Sequence, residues 1–204
     1  MTTISIIGSG NMATAIGTRA VKHGHTIELM SRNTAKAQAL ADQIGNGATV
    51  GAFGARPAGD IVILAVLYQG AVDVVEHYGE ALAGKILVDI TNPFNADASG
   101  VMTTAGNSVS EQVAAAAPEG ARVVKAFNTI FGGVIAEDKP VDVFFAGDSE
   151  AKTDFAAFVE SLDMRPRNAG GIEMAYSLEW AGILLVGLAS NGAGFDVAFG
   201  AEVL

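Results

Sequence analysis

Short apolar runs rich in β-branched residues alternate with longer alanine-rich runs along most of the chain. The short runs predict strands at 3–7, 26–30, 61–66, 86–90, 123–127 and 141–146, with a further short strand near 48–50. The longer runs predict helices at 12–22, 34–44, 71–82 and 150–162. Strands that are apolar on both sides and separated by helices are typical of a parallel sheet covered by helices. The pattern therefore predicts an α/β fold with a doubly wound, mostly parallel sheet.

The last third of the chain follows another pattern. We predict a connecting excursion at 97–118, in which Ser110-Glu111-Gln112 opens a helix, then a long apolar helix at 172–191 and a glycine-punctuated tail at 192–204. The length suits a single domain, 1–204, with no second independent domain.

The late helix is apolar on more than one face, at Trp180, Ile183, Leu184 and Leu188. Such a helix must be buried on most sides. A homodimer would bury it, and so would coverage by the tail within one subunit; both remain open.

Composition and charge exclude several classes of function. The 204 residues contain no cysteine, so disulfides, thiolate nucleophiles and cysteine-based metal sites are excluded, and the three scattered histidines predict no metal site. A formal charge of −10 argues against nucleic acid and anionic membranes as partners. The first residues lack a basic leader and read as a strand, and the longest apolar stretch, 180–189, is half of the ~20 residues that a membrane span needs. We therefore expect a cytoplasmic protein.

The first strand runs into a turn with two glycines and a following helix. The turn and helix start comprise Gly8, Ser9, Gly10, Asn11 and Met12, followed by Ala13. In this context the first glycine permits the tight turn, the second lets the backbone approach a pyrophosphate, and the free N–H groups of the helix start face the anion. We interpret the fold as a Rossmann-type NAD(P)-binding fold; a plain strand–helix turn is the structural alternative.

The end of the second strand discriminates between dinucleotides. NAD enzymes usually place a carboxylate there, on the ribose 2′-OH. Here Met30 is followed by Ser31 and Arg32, with Lys36 one turn into the next helix. A hydroxyl, a guanidinium and an ammonium suit a 2′-phosphate, so we predict NADP(H).

The loops after the fourth, fifth and sixth strands should carry the nicotinamide end, because open α/β sheets bind ligands at the carboxyl ends of their strands. The candidate residues are Val66, Leu67, Tyr68, Asn92, Pro93, Asn128 and Thr129. Asn92 and Pro93 could equally fix a turn. Asn128 and Thr129 directly follow a buried strand, and their polar groups need partners that a carboxamide or a substrate carbonyl would supply, so we assign them the catalytic positions.

Four motifs together resemble a known family. They are Gly8-Ser9-Gly10-Asn11-Met12, Ser31-Arg32, Asp89-Ile90-Thr91-Asn92-Pro93 and Val124-Lys125-Ala126-Phe127-Asn128-Thr129. The chain resembles, over essentially its whole length, the coenzyme F420-dependent NADP oxidoreductases and the related NADPH-binding oxidoreductase domain of the STEAP metalloreductases. The resemblance implies that Ser31, Arg32 and Lys36 hold the 2′-phosphate. It also implies direct hydride transfer between the nicotinamide and a stacked acceptor ring, which needs positioning more than acid–base groups.

Three functions are consistent with these observations. The leading hypothesis is an NADPH-dependent reductase whose small-molecule acceptor is F420, FMN or FAD, with 172–204 completing the acceptor pocket. It predicts a cavity bounded by Asn128, Thr129 and the segment 192–199. A non-catalytic NADPH-binding module predicts that side chains fill this space. A small imine or carbonyl reductase needs a proton donor, for which Tyr68 is the candidate.

Overall fold

The computed structural model describes residues 2–202; Met1, Val203 and Leu204, the last two in the predicted tail, lie outside the described residues. Eight strands form one sheet: β1 Thr3–Ile7, β2 Thr26–Met30, β3 Thr49–Gly51, β4 Ile61–Leu64, β5 Ile86–Asp89, β6 Arg122–Lys125, β7 Asp142–Gly147 and β8 Arg165–Gly170. Seven α-helices are described: α1 Asn11–Lys22, α2 Thr34–Ile44, α3 Ala71–Tyr78, α4 Val109–Ala116, α5 Gly132–Ala136, α6 Ser149–Ser161 and α7 Ala175–Leu188. Short helical turns occupy Tyr68–Gly70, Gly79–Leu82, Ile172–Met174 and Ala189–Ala193.

The strand order is β3-β2-β1-β4-β5-β6-β7-β8. Every neighbouring pair is parallel except β6 and β7, which are antiparallel. The chain reverses its order between β1 and β4, and it is at such a switch point that open α/β sheets bind ligands. The predicted doubly wound, mostly parallel sheet is confirmed.

Helices cover both faces of the sheet because successive strand residues point to opposite sides. Ile4 and Ile6 of β1 belong to one buried cluster, together with residues of α1, α2, α5 and α6. Ile7 belongs to a second cluster with residues of α3 and α4. The two clusters are the cores on the two sides of the sheet.

Several predicted boundaries are wrong at the carboxyl ends of the strands. Val66, Ile90 and Phe127 were expected inside strands, but β4, β5 and β6 end before them. These apolar residues continue the strand pattern because they line loops that pack on the core. α4 begins at Val109 instead of Ser110, because Ser108 caps it and forms a reciprocal capping box with Glu111.

The late helical run is longer than its apolar stretch suggests. By length and composition alone, one run of the described residues, 172–193, could cross a membrane, with 33% of its most apolar window buried. Core helices of water-soluble proteins also meet this criterion of length and composition. The expected cytoplasmic location stays a prediction.

Candidate cofactor site

The turn between β1 and α1 needs glycine at its first position. Gly8 has a φ of +133°, and a Cβ there would lie 2.1 Å from the carbonyl oxygen of Ala65. A Cβ on Gly10 would meet no atom within 4 Å. Gly10 is the N-cap of α1 and provides no side-chain cap, so the first N–H groups of the helix remain free for an anion. The two glycines thus have different roles: Gly8 permits the fold, and Gly10 keeps the space in front of the helix open.

A cleft of about 1140 Å³ lies along this carboxyl edge. Its volume exceeds that of most drug-sized sites, about 300 to 1,000 Å³, as an extended dinucleotide requires. The predicted site residues that line it are Gly8, Ser9, Gly10, Asn11, Met12, Arg32, Lys36, Val66, Leu67, Tyr68 and Asn92. The structure therefore brings most of the predicted residues together.

One end of the cleft is suited to a phosphate. Arg32 and Lys36 are exposed, and neither side chain forms an ion pair with a described residue. The Ser31 hydroxyl lies 3.4 Å from that of Ser9, which joins the ends of β1 and β2. Asn33 caps α2 by accepting a hydrogen bond from the Lys36 backbone N–H, which fixes the start of the helix that carries Lys36. An adjoining cavity of about 250 Å³ contacts Ser31 and Arg32 and ends at Phe53, which suits a purine ring.

The carboxylate of β2 is not available to a ribose. Glu28 lies two residues before the end of the strand and accepts hydrogen bonds from the Ser5 hydroxyl (2.6 Å) and the Ala58 N–H (2.8 Å). The absence of a carboxylate at the end of β2, inferred from the sequence, therefore holds in the folded protein.

At the opposite end of the cleft, two asparagine side chains form a pair. Asn92 donates to the carbonyl oxygen of Asn128 (2.8 Å), and the amide of Asn128 donates to Asn92 Oδ1 (3.0 Å) and to the carbonyl oxygen of Leu178 (2.7 Å). Both amide hydrogens of Asn128 are thereby used, and its Oδ1 is buried without a partner. The Thr91 hydroxyl, also at the cleft, is buried without a partner as well. Buried polar atoms are seldom left without a partner, so these two oxygens are candidates for hydrogen bonds with a polar ligand group.

A small cavity of about 170 Å³ adjoins the cleft at the asparagine pair. Met12 and Asn92 line both spaces, and Gly182 and Leu185 of α7 close the far side. A Cβ on Gly182 would lie 2.7 Å from Asn92 Oδ1, so glycine permits this close approach of the helix. The preceding Phe127 has a φ of +57°, a strained conformation for a bulky residue, and such strain tends to cluster at functional sites.

The structure does not bring every predicted residue to the cleft. Pro93 is buried, and its carbonyl accepts a hydrogen bond from the Met102 N–H, which is a structural role. Thr129 lines a separate apolar cavity with Phe144 and Phe199. The expectation that Asn128 and Thr129 bound one cavity is therefore wrong, because the chain turns directly after β6 and directs the two side chains into different cavities.

The tail also lies elsewhere than expected. Ala198 pairs with Ile130, and Phe195 contacts Phe131 edge to face at 5.2 Å between ring centroids. The cavity at Asn128 is closed by α7 instead of by 192–199. Phe195 is 62% exposed, so an aromatic surface remains beside that cavity.

A charged cluster behind the asparagine pair was not foreseen. Asp89, Lys125 and Glu179 have fully buried side chains, with Lys125 Nζ 3.0 Å from Asp89 Oδ2 and 4.0 Å from Glu179 Oε1. Burial alone would raise the pKa of Asp89, but Lys125 and the hydrogen bonds from Ser110 and Thr91 hold it below its ordinary value. Burial raises the pKa of Glu179 despite Lys125. The sequence signals were a lysine in an otherwise apolar strand and a glutamate in an apolar helix.

Within residues 2–202, no group of three or more histidine and carboxylate side chains is arranged to hold a metal ion. The cleft instead offers glycines, one guanidinium, one ammonium and the unpartnered Thr91 hydroxyl. These groups suit a phosphorylated organic cofactor.

Comparison with known proteins agrees with this geometry. A family model described as NADP oxidoreductase coenzyme F420-dependent matches residues 3–93. The F420-dependent NADP reductase of Methanocaldococcus jannaschii is 31% identical over 153 residues, which cover 68% of each chain. The chain belongs to this family. The resemblance drawn from its motifs is confirmed, and the fold is that of an NADP-dependent oxidoreductase.

One further relative and one protein of similar fold are longer than this chain. Metalloreductase STEAP3 of Rattus norvegicus is 27% identical over 186 residues, which cover 86% of this chain and 35% of STEAP3. The chain thus spans about a third of that relative's length. The imine reductase of Aspergillus terreus in complex with NADPH4 has a TM-score of 0.71 at 24% identity, covering 96% of this chain and 64% of that one. At this identity the likeness concerns the fold alone.

Proposed function

We propose that the protein transfers a hydride between NADP(H) and a flat redox ring, either a deazaflavin of the F420 type or a flavin. The observation that carries the proposal is the cleft, which has two exposed cations at one end and the buried, unpartnered Thr91 hydroxyl at the other, where the adjoining small cavity adds the unpartnered Asn128 Oδ1. The M. jannaschii relative, an F420-dependent NADP reductase, supports the same chemistry.

Each part of the cleft has a role in this proposal. Ser31, Arg32 and Lys36 bind the 2′-phosphate, and the α1 N-terminus at Gly10 binds the pyrophosphate. The Thr91 hydroxyl and Asn128 Oδ1 bind the nicotinamide carboxamide, whose N–H and C=O groups complement them. The bound dinucleotide supplies the hydride chemistry itself.

The acceptor side favours a flat ring. The cavity at Asn128 is lined mainly by apolar side chains, and the exposed Phe195 lies beside it against Phe131. An aromatic ring of the acceptor would bury apolar surface there and stack against the aromatic side chains. Its proton, where one is needed, comes from solvent, because the cleft is open.

The test is single-turnover oxidation of NADPH, followed at the dihydronicotinamide absorbance, with F420, FMN and FAD offered separately. We expect oxidation with at least one of them. Asn128→Ala should slow it at least about tenfold, because misplaced reacting rings lose most of the rate. The matched control is Asn168→Ala on β8, whose side chain accepts only the Gly170 N–H. No oxidation with any of the three acceptors would refute the proposal.

One observation favours a second candidate, a small imine or carbonyl reductase. Tyr68 is half-buried and lines the cleft, so a phenol that could donate a proton is present. In that case Tyr68→Phe abolishes reduction of a cyclic imine while NADPH binding persists. The binding-module hypothesis expects a filled space, and the cavity of about 170 Å³ at Asn128 argues against it.

A further inference from the structure

The buried cluster of Asp89, Lys125 and Glu179 connects three separate elements at the nicotinamide end. Asp89 is the last residue of β5 and Lys125 the last of β6, and the two are register partners. Glu179 projects from α7 and accepts hydrogen bonds from the Val109 N–H (2.9 Å) and the Thr103 hydroxyl. The cluster therefore joins the strand ends to the helix that closes the cavity at Asn128.

Stability alone is a poor reason for such a cluster. Two carboxylates share one ammonium, and all three side chains are fully buried. Well-packed apolar side chains in the place of a buried ion pair are often as stable or more stable. What buried charges do supply is a defined geometry, because each charge must keep its partners.

The geometry that this cluster defines is that of Thr91. Asp89 Oδ1 accepts the Thr91 N–H at 2.9 Å, and the Lys125 ammonium donates to the Thr91 carbonyl oxygen. Both backbone polar groups of Thr91 are thus held by buried charges. Thr91 and the next residue, Asn92, form the wall of the cleft at its nicotinamide end.

The same cluster includes Glu179 of α7, the helix that forms the far wall of the small cavity. Glu179 lies three residues before Gly182, where a Cβ would lie 2.7 Å from Asn92 Oδ1, and one residue after Leu178, whose carbonyl oxygen accepts a hydrogen bond from Asn128. A shift of Glu179 would move α7 against the asparagine pair. The three charges therefore hold both sides of the small cavity in one arrangement.

We propose that Lys125, with Asp89 and Glu179, is a positioning residue for the nicotinamide end of the cofactor and contributes nothing to its phosphate end. This inference rests on the proposed function, since it assumes that NADP(H) occupies the cleft. It assigns a role to Lys125 that does not require contact with the cofactor.

The experiment compares two ligands by titration calorimetry with Lys125→Met. NADPH reaches both ends of the cleft, whereas 2′-phosphoadenosine 5′-phosphate (2′,5′-ADP) has the 2′-phosphate and adenine but no nicotinamide. We expect NADPH affinity to fall at least about tenfold and 2′,5′-ADP affinity to change less than about twofold, since only the nicotinamide end loses its geometry. Equal losses for both ligands, or none for NADPH, would overturn the inference.

The matched control is Arg19→Met. Arg19 is also a buried cation, and it donates to the carbonyl oxygens of Leu162, Ile135, Lys139 and Asp163, away from the cleft. Its loss should lower the melting temperature and leave the ratio of the two affinities unchanged. A ratio that shifts as much in Arg19→Met as in Lys125→Met would show a general effect of destabilisation and overturn the inference.

If Lys125→Met does not fold, Glu179→Gln decides the question, because it removes one charge and retains the size of the side chain. NADPH should then bind at least about threefold more weakly with 2′,5′-ADP unaffected. Unchanged NADPH affinity in this variant would overturn the inference. Failure of the proposed function is distinguishable, since a wild-type protein that binds neither ligand refutes that proposal first.

Discussion

Replacement of Arg32 by alanine tests the choice of cofactor. The guanidinium is exposed at the phosphate end of the cleft and has no ion pair with a described residue, so its loss leaves no protein group unsatisfied. The effect on binding is therefore the lost contact with the 2′-phosphate. A hydrogen bond to a charged group contributes about 1.5–3 kcal/mol, and solvent exposure places Arg32 in the lower half of that range.

A loss of about 1.5–2 kcal/mol raises the Kd for NADPH roughly 10- to 30-fold. NADH has no 2′-phosphate, so its Kd should change less than about twofold. Titration calorimetry with both cofactors measures the two effects, and Arg56→Ala is the matched control because Arg56 is an exposed arginine that donates to the Ala83 carbonyl oxygen. Equal losses for NADPH and NADH in Arg32→Ala would refute the assignment of the phosphate end.

Three further predictions concern the glycine turn, Asp142 and the exposed face of α7. Gly10→Val should fold with a native circular dichroism spectrum yet lose NADPH binding, because the valine side chain enters the open space before α1. Gly8→Ala should instead unfold at a lower temperature, because its Cβ would lie 2.1 Å from the carbonyl oxygen of Ala65. Native NADPH affinity in Gly10→Val would contradict the assignment of the glycine turn to the cofactor. The pKa of Asp142 lies at about 2, because hydrogen bonds from Arg167, the Ala201 N–H and Arg165 outweigh the effect of its burial. The wild-type protein should therefore melt at a higher temperature than Asp142→Asn above about pH 4, and the difference should vanish toward pH 2. A difference that does not change with pH would show that the charge of Asp142 is not its cause. One face of α7 exposes three large apolar side chains: Trp180 (43%), Leu184 (57%) and Leu188 (42%). We therefore expect a homodimer that Leu184→Asp dissociates. A wild-type monomer in light scattering at micromolar concentration would rule the homodimer out.

The parts of the fold that could be predicted depend on local signals. α2 has the predicted bounds, 34–44, because an N-cap asparagine and a C-terminal glycine mark its ends. The glycine turn after β1 could be recognised for the same reason, because the glycines that its backbone requires are close together in the sequence. The residues at the phosphate end of the cleft, Ser31, Arg32 and Lys36, all lie within six positions of the end of β2.

The nicotinamide end depends on contacts between residues that are far apart in the chain. Asn92 and Asn128 are separated by 36 positions, and the carbonyl that orients Asn128 belongs to Leu178, 50 positions further on. Asn128 and Thr129 were expected to act together because both follow β6, but the chain turns at the left-handed Phe127, so Asn128 lines the small cavity beside the cleft and Thr129 lines a different cavity. Thr91 was passed over for its neighbours Asn92 and Pro93, although its hydroxyl is the one left unpartnered at the cleft.

Lys125 shows why chemical type alone misleads at such a site. A lysine within a buried strand is usually not considered as a functional residue, because a side chain in the interior of a sheet cannot reach a ligand. Here the charges that compensate it come from β5 and α7, and the backbone that it holds is the wall of the cleft. The residues proposed to bind the dinucleotide can thus be found from short motifs, whereas the residues proposed to position them are recognised only when the strands are aligned in the sheet.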